Sequence, residues 1–291
     1  MVVVPSTGPR RIVCLTEETT ETLYLLGEQD RIVGISGYTC RPPEARQKPK
    51  VSAFTTAKIE RILEVDPDLI IGFSNLQADI ARDLIRAGRN VLITNQRSIE
   101  EILATIGLVG NLVGAHQNAS NLIDRLRAGL DDLAASAARF PWRPRVLFEE
   151  WMDPLISGIR WVEELIEIAG GQPIFPELRL EHDATKRIVD PALVASRDPE
   201  VIVASWCGRK VDKRFIANRP GWDQVSAVVK RHIYEVKSTY ILQPGPASLT
   251  EGVRQLHAIF ARMNGLVPLD SIAPEERVDP DLTRELARSH H

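Results

Sequence analysis

Strand and helix signals alternate along nearly the whole chain, and this constrains the fold more than any other feature. "RIVCL" (11–15) reads as a short apolar strand, and "TEETTETLYLLG" as a helix ending at Gly27. "RIVGIS" (31–36), "DLIIGFS" and "NVLITN" read as further strands, with helices over "AKIERILEV" and "ADIARDLIRAG". Such alternation predicts βα units and a mostly parallel sheet. The second half repeats the plan. "RVLFEEW" at Arg145 echoes "RIVCLTE" at Arg11, and "LVASRDPEVIVASW" echoes "ILEVDPDLIIGFS". Asp66-Pro67 and Asp198-Pro199 stand at nearly the same offset as the two arginines. Two landmarks sharing one offset argue for a repeated unit, although Asp-Pro is also common punctuation between elements.

Between the halves, residues 112–140 contain no proline, and Leu122, Leu126, Leu130 and Leu133 recur at helical spacing. Pro141 and Pro144 end this stretch. The expected fold class is therefore α/β. Two Rossmann-like lobes with parallel sheets (10–111 and 141–265) are joined by one long helix (112–140), with a ligand cleft between the lobes and a C-terminal extension over 266–291. "SGIRWVEELIEIAGG" is expected to form a helix opened by Ser157-Gly158.

Composition sets the outer limits. The chain has 291 residues, 44% hydrophobic and 26% charged, with a net charge of −3 and a pI near 6.1. No electrostatic case for nucleic acid follows. Cys14, Cys40 and Cys207 are too few and too scattered for a disulfide framework or a structural zinc site. No apolar stretch approaches a membrane span. "MVVVPSTGPRR" has neither the basic segment nor the apolar segment of a signal peptide, so the sequence as it stands is expected in the cytoplasm. A chain from which a leader had been trimmed would read the same and would belong in the periplasm.

In an open parallel sheet, ligands bind beyond the carboxyl ends of the strands. Those ends carry Thr16, Glu17 and Glu18; Tyr38; Phe54; Phe73, Ser74 and Asn75; Glu149, Glu150, Trp151 and Asp153; Trp206, Arg209 and Lys210; and Tyr240. Trp161 lies in the first turn of the helix after the Trp151 strand. Only 5% of the chain is aromatic, yet Tyr38, Phe54, Phe73, Trp151, Trp161, Trp206 and Tyr240 all fall here. Such clustering suits a broad, flat, partly apolar ligand; the alternative is that these rings cap the sheet cores. Glu149 and Glu150 should point to opposite faces of their strand, and ion pairs with Arg143, Arg145 or Arg160 are the expectation for them. GxSxG, GxGxxG, P-loop and HExxH motifs are all absent, and His116, His182, His232 and His257 show no ligand spacing. No catalytic residue, metal site or intrinsic cofactor is expected.

Residues 10–264 resemble class III substrate-binding proteins of ABC importers, which bind cobalamin, ferric siderophores or haem. The resemblance rests on "RRIVCLTEETTETLYLLG", "VGIS-Y---PPEA", "KV", "IE-IL---PDLII", "SGIRWVEELIEIAGGQPIF", "SRDPEVIV" and "LQPGPASLTEGVRQLHAIF". The "Y---PPEA" run with a short aromatic loop after "KV" is most like the cobalamin-binding branch. The resemblance implies a non-enzymatic, monomeric protein holding cobalamin or another corrinoid through Tyr38, Phe54, Phe73–Asn75, Trp151–Leu155 (Asp153 among them), Trp206 and Tyr240, to which the strand-end positions add Glu150, Trp161 and Arg209 as expected contacts. It also implies docking to an ABC permease through acids on each lobe, here Asp79 or Asp83 and Asp212. One alternative is a ferric siderophore or haem held by Arg209 and Lys210. Another is a cytoplasmic enzyme or sensor using the cleft carboxylates, Cys40 or Cys207.

Overall fold

The strand that starts the fold, β1 (Ile12–Cys14), is fully buried along its length. Its continuous apolar run fits a strand covered on both faces. In the computed structural model, which describes residues 8–268, β1 is the middle strand of a five-stranded parallel sheet. It is followed by α1 (Glu17–Leu25), β2 (Ile32–Ser36), β3 (Lys50–Ser52), α2 (Ile59–Glu64), β4 (Leu69–Phe73), α3 (Ala78–Arg86) and β5 (Val91–Thr94). The strand order is β3-β2-β1-β4-β5. Val13, Leu15, Val51, Ile62, Ile70, Ile80 and Leu84 form the core beneath it. The helix stops fall where glycine permits a left-handed residue, with φ +79° at Gly27 and +77° at Gly88.

Two longer helices follow, α4 (Ile99–Val113) and α5 (His116–Ala137), separated by Gly114 at φ +76°. Leu122, Leu126, Leu130 and Leu133 are all buried along one face of α5. The chain divides into two compact units, and the division falls inside α5. The first unit takes the chain up to Gln96 together with Glu100–Leu126; the second takes Arg97–Ile99 and the chain from Arg127 on.

The second unit is built on β6 (Arg145–Met152), β7 (Leu155–Ser157), α6 (Arg160–Ile168), β8 (Gln172–Pro173), α7 (Pro191–Arg197), β9 (Val201–Ala204), α8 (Lys213–Ala217), α9 (Ser226–Val229), β10 (Ile233–Glu235), α10 (Ser238–Ile241) and, after a π-turn at Ser248–Gly252, α11 (Val253–Met263). Strands β10, β9 and β6 are parallel. On its other side β6 pairs with β8 in parallel and with β7 antiparallel. The hairpin to β7 departs from the expected helix start. Ser157 is the last residue of a strand, Ile159 caps the helix, and α6 begins at Arg160. The sequence expectations for residues 1–7, and for 266–291 beyond residue 268, lie outside the described residues.

The repeated landmarks are structurally equivalent. Asp66 and Asp198 both adopt left-handed backbone, with φ +41° and +44°, at the end of a helix and before a proline. Aspartate is among the few residues that visit this region readily. The Arg11 Nε donates to the Asp66 carbonyl at 2.8 Å, and the Arg145 Nε to the Asp198 carbonyl at 3.0 Å. The acid after each proline accepts the arginine's backbone N–H, Asp68 at 3.0 Å and Glu200 at 3.0 Å. In each unit this joint fixes the strand start.

Candidate ligand-binding loops

In the first unit, the loop after β1 opens α1 with Glu17 and Glu18, and Glu21 follows one turn on; all three are buried. The Thr16 hydroxyl donates to Glu18 at 2.5 Å, while the second Glu18 oxygen is buried without a hydrogen-bond partner. The Cys40 thiol lies 3.5 Å from Glu17, and Arg41 pairs with Glu21 at 3.0 Å. Burial drives both leading carboxyls up, Glu17 to about 8 and Glu18 to about 7; the Cys40 and Thr16 hydrogen bonds oppose the rise. The carboxyl end of β1 therefore holds two acids whose carboxyls burial has pushed up to neutral pH or above.

The other predicted residues of this unit divide by exposure. Tyr38 is 58% exposed, Asn75 is exposed and Phe54 is partly buried. Phe73 and Ser74 are buried. Ser74 holds a strained φ of +67°, and its hydroxyl accepts the Leu76 N–H at 3.2 Å. The residue that organises these loops, Gln77, is not among the sequence candidates. It is fully buried. Its Nε2 donates to the Phe54 carbonyl at 2.8 Å and more weakly to the Leu15 carbonyl at 3.4 Å, and its Oε1 accepts the Phe73 N–H at 2.9 Å. One amide thus ties the ends of β1 and β4 to the Phe54 loop. Gly72 makes room for it, because a Cβ there would sit 2.4 Å from Gln77 Oε1. The only sequence signal for Gln77 is a glutamine just past a strand end.

In the second unit, Glu149 is fully buried and Glu150 is not, as expected for adjacent strand residues. Their partners are not Arg143, Arg145 or Arg160. Arg219 grips both Glu149 oxygens at 2.6 and 2.9 Å, and Arg187 grips both Glu150 oxygens at 2.6 and 3.1 Å. These arginines come from distant loops that pack over the end of β6, which sequence proximity does not reveal. Burial raises the Glu149 carboxyl above its usual range, and the Arg219 guanidinium limits the rise. Arg219 also donates to the Met152 carbonyl at 3.0 Å and lies over the Trp222 and Phe215 rings. The tip of the β6–β7 hairpin is held by this pair.

The predicted aromatics of this unit do not share one environment. Trp151 and Tyr240 are partly buried, while Asp153 and Arg209 are exposed. Trp151 donates its indole N–H to the Asp153 carbonyl at 3.1 Å and packs against the core cluster that holds Trp206 and Trp222. Trp161 and Trp206, expected on a ligand wall, are each 3% exposed. The Trp161 N–H donates to the Ile241 carbonyl at 2.9 Å, and the Trp206 N–H to Glu149 at 3.2 Å. Buried indoles keep a partner for the N–H, and these two stand in the core as placed. Asp212 caps α8, accepting the N–H groups of Arg214 and Phe215 at 2.9 and 3.1 Å. Asp79 and Asp83 lie on the exposed face of α3, paired with Arg82.

Each unit is an α/β body, built mostly on parallel strands, with acid- and aromatic-bearing loops at its strand ends. Residues 12–240 match the model of the family described as periplasmic binding protein, and the chain belongs to that family. It is 26% identical over 257 residues to an uncharacterised ABC transporter substrate-binding lipoprotein of Bacillus subtilis, covering 85% of this chain and 79% of the relative. It is 25% identical over 260 residues to a cobalamin-binding protein of Halobacterium salinarum, covering 86% of this chain and 69% of that one. Among solved structures, the apo periplasmic haem-binding protein of Roseiflexus sp. RS-1 superposes with a TM-score of 0.77 at 22% identity, over 88% of this chain and 100% of that chain. The chain is thus a substrate-binding protein of the periplasmic binding protein family, and its relatives include a cobalamin-binding protein. No helix among the described residues is long and apolar enough to cross a membrane.

Proposed function

We propose that this protein captures a corrinoid, cobalamin or a close relative, and hands it to an ABC permease. The loops beyond the strand ends of both units take the ligand, with Tyr38, Phe54, Asn75, Trp151, Asp153 and Tyr240 as the contacting residues. The observation that carries the choice of ligand is the acid set at the end of β1. Glu17 and Glu18, with carboxyls pushed up to about 8 and about 7 by burial, favour a ligand whose periphery can both donate to and accept from a carboxyl. A corrinoid periphery is rich in carboxamides, which donate to a carboxylate and accept from a protonated carboxyl. The cobalamin-binding relative supports the same reading. For docking, Asp79 and Asp83 are acids on the exposed face of α3, both paired with Arg82, while the Asp212 carboxylate serves its helix cap.

The test is a tryptophan-fluorescence titration of the full chain with cobalamin, cobinamide, haem and a ferric siderophore. Saturation by a corrinoid at micromolar or lower concentration, with weaker haem binding, is expected. Tighter binding of haem or the siderophore refutes the choice of ligand.

A further inference from the structure

A groove in the first unit lies apart from the acids of β1 and carries the opposite charge. It is lined by Lys50, Val51, Ser52, Ala53, Thr56, Ala57, Lys58 and Arg61, with a volume of about 360 Å³. That is at the lower end of the range for small-molecule sites, roughly 300–1,000 Å³. Its framework is the edge strand β3 and the turn that follows. There the Ala53 N–H donates to the Thr56 carbonyl at 2.8 Å, and Ser52 bridges Ala57.

The lining has three cationic side chains and no acid. Elsewhere in the described chain arginines are routinely paired with carboxylates, as Arg82, Arg145, Arg187 and Arg219 are. Lys50, Lys58 and Arg61 have no carboxylate partner within 4.0 Å among the described residues. Three exposed cations around one groove, without carboxylate partners, favour an anion there. The second observation is independent of charge. The Ser52 hydroxyl is buried in the groove wall with no hydrogen-bond partner. A buried hydroxyl without a partner is costly, and rotation about its Cα–Cβ bond would turn it toward an oxyanion in the groove.

We infer that this groove is a binding site for a phosphate-class oxyanion, with Lys50, Lys58 and Arg61 supplying charge and Ser52 a neutral donor. The oxyanion is either free in solution or a phosphoryl group carried by the captured ligand. The site lies within the first unit and does not depend on the corrinoid reading.

The test is calorimetric titration of the full chain with inorganic phosphate at fixed ionic strength, with far-UV circular dichroism to show that each variant is folded. Saturable binding is expected. The K50Q/K58Q/R61Q variant should weaken it about tenfold or more, the scale of a lost charge-assisted hydrogen bond. Ser52→Ala should also weaken it without altering net charge, which general ionic attraction would not do. Absence of saturable binding, or equal binding by the folded triple variant, overturns the inference. A second arm compares cobalamin, which carries a phosphodiester, with cobinamide, which lacks it. An affinity ratio that collapses in the triple variant assigns the groove to the ligand's phosphoryl group. An unchanged ratio with lost phosphate binding assigns it to a free anion. A chain that binds no corrinoid refutes the proposed function and leaves the phosphate arm readable.

Discussion

Arg219 holds both carboxylate oxygens of Glu149 inside the second unit, where the two side chains are 7% and 0% exposed. Burying such a pair is expensive, and removing one partner strands the other charge. Arg219→Met is expected to cost about 3–5 kcal/mol in urea denaturation. The double variant Glu149→Gln, Arg219→Met should cost less, since the glutamine carbonyl still accepts the Trp206 N–H and no charge is left behind. A double variant as unstable as the single would mean that Arg219 acts through packing on Trp222 and Phe215 rather than through charge.

Gln77 makes three bonds from one buried amide, so its loss should be felt in the loops rather than in the core. Gln77→Leu leaves the Phe73 N–H and the Phe54 carbonyl without these partners, at about 1–3 kcal/mol each if they stay buried. Hydrogen exchange should quicken at Phe54 and Phe73 first, and corrinoid affinity should drop along with it. Exchange that rises evenly across the whole unit would contradict a local tie.

The two tryptophans around the β6–β7 hairpin should separate by readout. Trp161→Phe removes the bond to the Ile241 carbonyl and should lower stability by about 1–2 kcal/mol with little change in ligand affinity. Trp151→Ala should weaken ligand binding more than it lowers the melting temperature. Equal affinity for the Trp151 variant and the parent would remove Trp151 from the site.

Glu163 in α6 is buried, with one oxygen lacking a hydrogen-bond partner, and burial pushes its carboxyl up to about 8 despite Arg179 and Arg187 nearby. Unfolded, the same group ionises near the ordinary glutamate value of about 4.3. Its stabilising contribution is complete below that value and is lost as pH rises toward about 8, because the unfolded chain releases its proton first. Glu163→Gln should therefore gain stability relative to the parent on going from pH 5 to pH 8. A difference between the two proteins that does not vary with pH would show that Glu163 is ionised in the fold.

Much of the fold was legible because it depends on local signals. The apolar runs at Ile12–Cys14 and Leu69–Phe73, and the Gly27 and Gly88 stops, impose their structure within a few residues. The helical stripe of Leu122, Leu126, Leu130 and Leu133 is equally local. What could not be read is whatever depends on partners far away in the chain. Glu149 meets an arginine 70 residues on, and Glu150 one 37 residues on. The β6–β7 hairpin hid behind an Asp-Pro-Leu run that gives no standard two-residue turn signal. For the aromatics, spacing located the strand ends correctly but could not tell which rings turn inward; Trp161 and Trp206 do, and Tyr38 does not.

The joints at Asp66 and Asp198 bear on how freely the chain can drift over evolutionary time. Arg11 reads the backbone carbonyls of Val65 and Asp66, whereas Arg145 reads both the Asp198 carbonyl and its carboxylate, so the first joint requires a left-handed residue before proline more than it requires aspartate itself, and the second uses both. Asparagine or glycine would keep the carbonyl where it is. The first joint can therefore exchange its aspartate and keep its geometry, while the second would also lose the carboxylate bonds to Arg145 and Ser226.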